Sequence, residues 1–169
     1  AEAPRGIHDG DLGLAHRVFR VALEADEVHA HAEPQHGRDH GGAEANVALS
    51  LSKFGHETAV VSTLPESALG HACAGELRRH GVQTEALRFC DGRMGLYFLT
   101  HGAGHRPAEV LYDRAGSAFA AASADAYDWN ALLAGCSWLH VSGITPAVSD
   151  AAGEAAQRAM TAARQRGVK

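Results

Sequence analysis

Cysteine is scarce in this chain. Cys73, Cys90 and Cys136 stand far apart, form no CxxC pair and match no zinc-ligand spacing. An odd, scattered set argues against a disulfide framework and predicts free thiols in a reducing, cytoplasmic setting. No apolar run approaches the roughly 20 residues that cross a bilayer, and no signal-peptide pattern is visible. Positive charge is also in deficit: 15 Lys and Arg face 20 Asp and Glu, for a net charge of -5. That balance argues against nucleic acid as the main partner, because a phosphate backbone selects a basic surface. Methionine is missing before Met94, and Gly167-Val168-Lys169 reads as a helix exit heading into another strand. Both features predict a piece of a longer protein. Two phosphate-binding patterns are absent as well. There is no Gly-rich loop ending in Gly-Lys-Ser/Thr and no G-x-G-x-x-G fingerprint.

What is present fits one α/β domain. The 169 residues are 46% hydrophobic and 21% charged, enough for a real core. From Gly41 onward the pattern is regular. A helix is expected over 43–54 with Gly55 as its C-cap. Thr58–Thr63 reads as a buried strand, Leu64–Ser67 as a loop, and Ala68–His80 as a helix stopped by Gly81. Thr84–Phe89 and Gly95–Thr100 read as strands, with Glu109–Tyr112 pairing back on the latter as a hairpin. Ser117–Ala126 is small and irregular. Asp128–Ala134 predicts a short helix, Ser137–Ser142 a buried strand, and Ser149 the N-cap of a long alanine-rich helix. Such alternation implies a parallel sheet with helices on its faces, the hairpin lying outside it.

Three segments carry the candidate chemistry. Gly41-Gly42-Ala43-Glu44-Ala45-Asn46 opens an apolar helix with a glycine pair, which lets backbone approach a ligand closely. Asn46, one turn in, can hydrogen-bond a neutral polyol. Ser62-Thr63-Leu64-Pro65 through Leu69-Gly70 to Leu77-Arg78-Arg79-His80-Gly81-Val82 places a strand-end loop at the edge of a ligand crevice. In the hairpin, strand alternation puts Tyr112 and Arg114 on one face, with Tyr97 on the partner arm. An arginine there can grip a carboxylate with two bonds while the phenols pack on a carbon chain. Taken alone, the tyrosines are as well explained as a cross-strand pair and the arginine as a surface charge.

Together these segments resemble the ribokinase-like, or PfkB-type, carbohydrate kinases. They are most similar to the branch that phosphorylates 2-keto-3-deoxygluconate. The GGAEANVALSLSKFG run, the S-x-LP…LG…LRRHGV run and the Y…YDRA-x-SA run occur in that family's order and spacing. The resemblance covers 41–169 and implies a three-layer parallel α/β fold with a β-hairpin lid at about 93–115, cut short at its C-terminal side. It implies a sugar-acid site at Gly42, Tyr97, Tyr112 and Arg114, with Asn46 and Ile144 as further candidates. It also implies ATP and Mg2+ as cofactors of the parent enzyme, with the nucleotide site and the catalytic base lying beyond Lys169. The partner is then a small sugar or sugar acid, neither nucleic acid nor membrane, and the lid of such kinases can pair two subunits. A fructokinase, a nucleoside kinase and a non-catalytic sugar-binding remnant remain alternatives.

Residues 1–40 depart from that pattern. The family opens with a strand, then a lid strand leading into the glycine pair, and no such strand is legible here. Instead, Leu14, Val18, Val21 and Ala22 form a stripe that predicts a helix within Asp11–Val28. The segment holds six of the 12 histidines and eight acids against four bases, a bias also expected of a misread frame. Those histidines do not form a zinc-ligand set, so exposed loop histidines are expected and no metal. Asp113 and Asp125 lie outside any glycine-rich helix start, and neither is expected to be the base.

Overall fold

The computed structural model describes residues 18–22, 27–30 and 39–169. In chain order its elements are β1 (Val18–Ala22), β2 (Glu27–Ala30), β3 (Asp39–Gly41), α1 (Ala43–Lys53), β4 (Glu57–Pro65), α2 (Ala68–Arg79) and β5 (Leu87–Cys90). There follow β6 (Gly95–Thr100), β7 (Glu109–Asp113), α3 (Ala118–Ala121), a 3-10 turn at Ala124–Ala126, α4 (Trp129–Leu132), β8 (Trp138–His140), α5 (Thr145–Val148) and α6 (Asp150–Gln165). The strands form two sheets of four, ordered β5-β4-β1-β8 and β3-β2-β6-β7. All pairings in the first are parallel.

β4 shows why the layers form. From Thr58 to Pro65 every residue is buried, so both faces of the strand are covered. Val60 and Leu64 pack with Ala45 and Ala48 of α1 and with Cys73, Ala74 and Leu77 of α2. Val61 points the other way, into Phe119, Tyr127, Trp129, Leu133 and the alanines of α6. Those alanines, Ala152, Ala155, Ala156, Ala159, Ala162 and Ala163, recur at helical spacing on the buried side. The result is helix, sheet, helix: the expected three-layer parallel architecture, with a second sheet outside it.

Gly70, at the start of α2, shows how tightly these layers meet. A Cβ there would lie 2.1 Å from the Pro65 carbonyl oxygen, so only glycine lets α2 start so close to the end of β4.

Several expectations need correction. Val18–Ala22 is a strand and not part of a helix, and it sits between β4 and β8. A short, mostly apolar segment such as Val-Phe-Arg-Val-Ala cannot be told from a helical stripe by periodicity alone. The opening strand and the lid strand that the sequence did not reveal before Gly41 are therefore β1 and β2. Leu14 lies outside the described residues, as do His8, His16, His31 and His36. The lid is not a bare hairpin: β2 pairs parallel with β6, and β3 antiparallel with β2. Leu64 and Pro65 extend β4 rather than forming a loop, because they stay in register with Phe89 and Cys90. Ser117–Ala126 is not irregular: Ser117 caps α3 and Ser123 caps the 3-10 turn. β8 is shorter than expected and half-buried. Lys169 runs beside it, its N–H donating to the Ser137 carbonyl at 3.1 Å and its own carbonyl accepting from Leu139 N–H at 2.8 Å. No helix among the described residues is long and apolar enough to cross a membrane.

Candidate functional site

The strands of the first sheet all run the same way, so their carboxyl ends share one edge. From that edge β1 and β5 lead into the second sheet, and β8 leads into Ser142–Thr145. Ligands of open parallel sheets bind outside the carboxyl ends of the strands. The region where this edge meets the second sheet is therefore the candidate site.

Gly42 joins β3 to α1 with φ 134° and ψ 128°, a conformation that side chains with a Cβ rarely adopt. It is buried, and its carbonyl accepts the Asn46 N–H at 3.0 Å. No side chain caps this helix start. The Asn46 side chain lies exposed on the first turn.

The turn is anchored by a residue that sequence reasoning passed over. Glu44 is fully buried. Its Oε1 accepts the Ser142 N–H at 2.9 Å and the Thr145 hydroxyl at 2.9 Å. Those two donors flank Ile144, whose own N–H donates to Ser142 Oγ at 3.1 Å. Glu44 thus ties the first turn of α1, next to Gly42, to the segment that holds Ile144, across about a hundred residues of sequence. The available signal was a lone carboxylate among alanines in an otherwise apolar helix, since burial of such a group requires hydrogen-bond partners. Replacing Glu44 with Ala should cost about 1–3 kcal/mol, because a buried amide and hydroxyl lose their acceptor. Glu44→Gln keeps an acceptor oxygen and should cost less. Urea denaturation of both variants checks this ordering, and equal midpoints would contradict it.

On the second sheet Tyr97 lies opposite Tyr112. Their ring centroids are 6.2 Å apart at 41°. The Arg114 guanidinium carbon stands 4.1 Å from the Tyr112 ring centroid, a cation–π contact that holds the fork in place. The register also relates this face to the glycine turn. Glu27 pairs with Gly41 on one side and Gly95 on the other, and Leu96 pairs with Asp113. Gly42 and Arg114 therefore sit at the same end of the second sheet, three strand spacings or about 14 Å apart along the backbone.

The other carboxylates are engaged elsewhere. Asp113 pairs with Arg93, and Asp125 pairs with Arg158 at 2.5 Å. Among the described residues, no group of three or more His, Cys, Asp or Glu is placed to hold a metal ion. Groups with displaced pKa values lie away from this region. A hydrogen bond from Arg79 holds Glu76 below the usual carboxylate range. Burial pushes the Cys136 thiol up, and its Sγ–H donates to the Leu132 carbonyl at 3.7 Å.

Comparison with known proteins places this geometry in a family. The model of the pfkB family carbohydrate kinases matches residues 13–169, beginning within the segment that had looked atypical. The 2-dehydro-3-deoxygalactonokinase of Haloferax volcanii is 39% identical over 109 residues, 64% of this chain and 34% of the relative. Fructokinase-2 of Solanum lycopersicum is 43% identical over 61 residues, 36% of this chain and 19% of the relative. The crystal structure of 2-dehydro-3-deoxygluconokinase from Thermotoga maritima superposes with a TM-score of 0.84 at 35% identity, over 91% of this chain and 49% of that one. The chain thus spans about a third of the length of the Haloferax relative and about half of the Thermotoga structure. A family model that matches nearly the whole chain and a shared three-layer fold together give one conclusion: the chain belongs to the pfkB family of carbohydrate kinases.

Proposed function

We propose that this chain supplies the sugar-binding half of an ATP-dependent kinase acting on a sugar acid such as 2-keto-3-deoxygluconate. The observation that carries this reading is the Arg114 fork stacked on Tyr112, opposite Tyr97. Arg114 binds the substrate carboxylate with two hydrogen bonds. Tyr97 and Tyr112 pack on its carbon chain and bond its hydroxyls. The Gly42 backbone approaches a hydroxyl, and Asn46 and Ile144 line the far side. ATP and Mg2+ are the cofactors of the whole enzyme. The lid also exposes Phe98, Val110 and Leu111, a surface suited to pairing with a second lid.

Similarity to fructokinases supports a second reading, a neutral ketose as substrate. A guanidinium in the site argues against it, because its planar fork can give a carboxylate two charged hydrogen bonds, which a neutral sugar cannot accept. Titration calorimetry of the 169-residue chain with 2-keto-3-deoxygluconate and with fructose separates the two. The acid should bind at least tenfold more tightly, about 1.4 kcal/mol. Equal or better fructose binding would favour the neutral ketose. The chain alone should show no ATP turnover above background.

A further inference from the structure

Two crossings between the parallel sheet and the lid lie side by side. One runs from β5 to β6 through Asp91–Met94, the other from β7 to α3 through Arg114–Ser117. Both meet at Arg93. Its carbonyl accepts the Ala118 N–H at 2.8 Å, and Arg93 bridges Ser117 in parallel fashion. Its guanidinium then reaches across to the other crossing. Nη1 donates to Asp113 Oδ2 at 3.0 Å and to the Met94 carbonyl at 3.3 Å. Nη2 donates to the Asp113 carbonyl at 2.9 Å, to the Ala115 carbonyl at 3.2 Å and to Asp113 Oδ1.

The ion pair alone does not explain this arrangement. The Arg93 and Asp113 side chains are 39% and 51% exposed, and such a pair contributes little to stability. The unusual part is the pair of main-chain carbonyls, at Asp113 and Ala115. They flank Arg114, so one guanidinium fixes the backbone on both sides of it. An arginine has five N–H donors in a rigid planar fork, which suits several acceptors held at fixed angles. Downstream the Arg114 side chain is held over Tyr112. Backbone and side chain of the same residue are thus set by two separate contacts.

We propose that Arg93 is a hinge clamp that positions Arg114 for the substrate carboxylate. It touches no substrate itself. It holds the two lid crossings together, and lid and carboxylate grip move as one. The binding part of this proposal rests on Arg114 as the carboxylate holder; the clamp itself does not.

Hydrogen exchange on the 169-residue chain tests the clamp without a ligand. In Arg93→Gln, the amides of β6 and β7 should exchange at least fivefold faster, while those of α2 and α6 stay unchanged. Affinity for 2-keto-3-deoxygluconate, read by calorimetry, should fall about tenfold. Asp113→Asn removes the ion pair but keeps both carbonyl contacts, so it should give less than half of either effect. Should Arg93→Gln not fold, Arg93→Lys carries the same test, because it keeps the charge and loses the fork. Unchanged lid exchange would overturn the clamp. Faster lid exchange with unchanged sugar-acid affinity would overturn its role in positioning Arg114.

Discussion

Arg114→Met should weaken binding of 2-keto-3-deoxygluconate about a hundredfold and leave fructose binding almost unaltered. Each charged hydrogen bond contributes about 1.5–3 kcal/mol, and every 1.4 kcal/mol is about tenfold in affinity. Methionine keeps a long stem near the Tyr112 ring while removing the charge and the donors. Arg114→Lys keeps the charge without the fork, so it should lose about tenfold. Arg114 is only partly buried, just past the last residue of β7, and neither change should disturb the core. Calorimetry with both sugars reads the outcome. If Arg114→Met retains the wild-type preference for the acid, the carboxylate assignment fails.

The largest loss of stability is expected from Phe119→Ala, about 3–5 kcal/mol for a buried phenylalanine. Phe119 is 1% exposed and packs among Val61, Tyr127, Trp129, Leu133 and the α6 alanines. Alanine side chains are short and sit on a rigid helix, so they cannot close the cavity left behind. A domain of this size has about 5–15 kcal/mol of stability in all, and each kcal/mol moves the midpoint by about 2–4 °C. Differential scanning calorimetry should therefore show a fall of roughly 10 °C. Phe119→Leu largely keeps the volume and should cost less than about 1.5 kcal/mol. A fall of only 1–2 °C in Phe119→Ala would show that the cluster does not depend on this ring.

These two residues also mark what the sequence discloses. Arg114 was legible, because alternation in a hairpin needs only local rules and Tyr97, Gly95–Thr100 and Glu109–Asp113 obey them. Phe119 was not, since Ser117–Ala126 holds a single large apolar side chain among alanines and shows no period. Its helix exists because Ser117 caps it and β4 offers an apolar face beneath it. Val18–Ala22 failed for another reason: its apolar residues, interrupted by Arg20, fit a helical stripe as well as a strand, and only neighbours on both sides make it a strand. The glycine turn lay between these cases. Its special backbone was readable from Gly41-Gly42, but Glu44 was not, because its partners Ser142 and Thr145 are about a hundred residues away.

By itself, then, the sequence determined the α/β alternation, the cap at Ser149, the hairpin and the family motifs. Each of these depends on contacts within a few residues or on a period along one element. Tertiary structure alone decided that β1 lies inside the sheet and that β2 and β3 widen the lid. It alone decided that Glu44 ties two loops together and that Arg93 fastens two crossings. Those outcomes depend on pairing and hydrogen bonds between distant segments, whose energies are realised only once the chain has closed on itself.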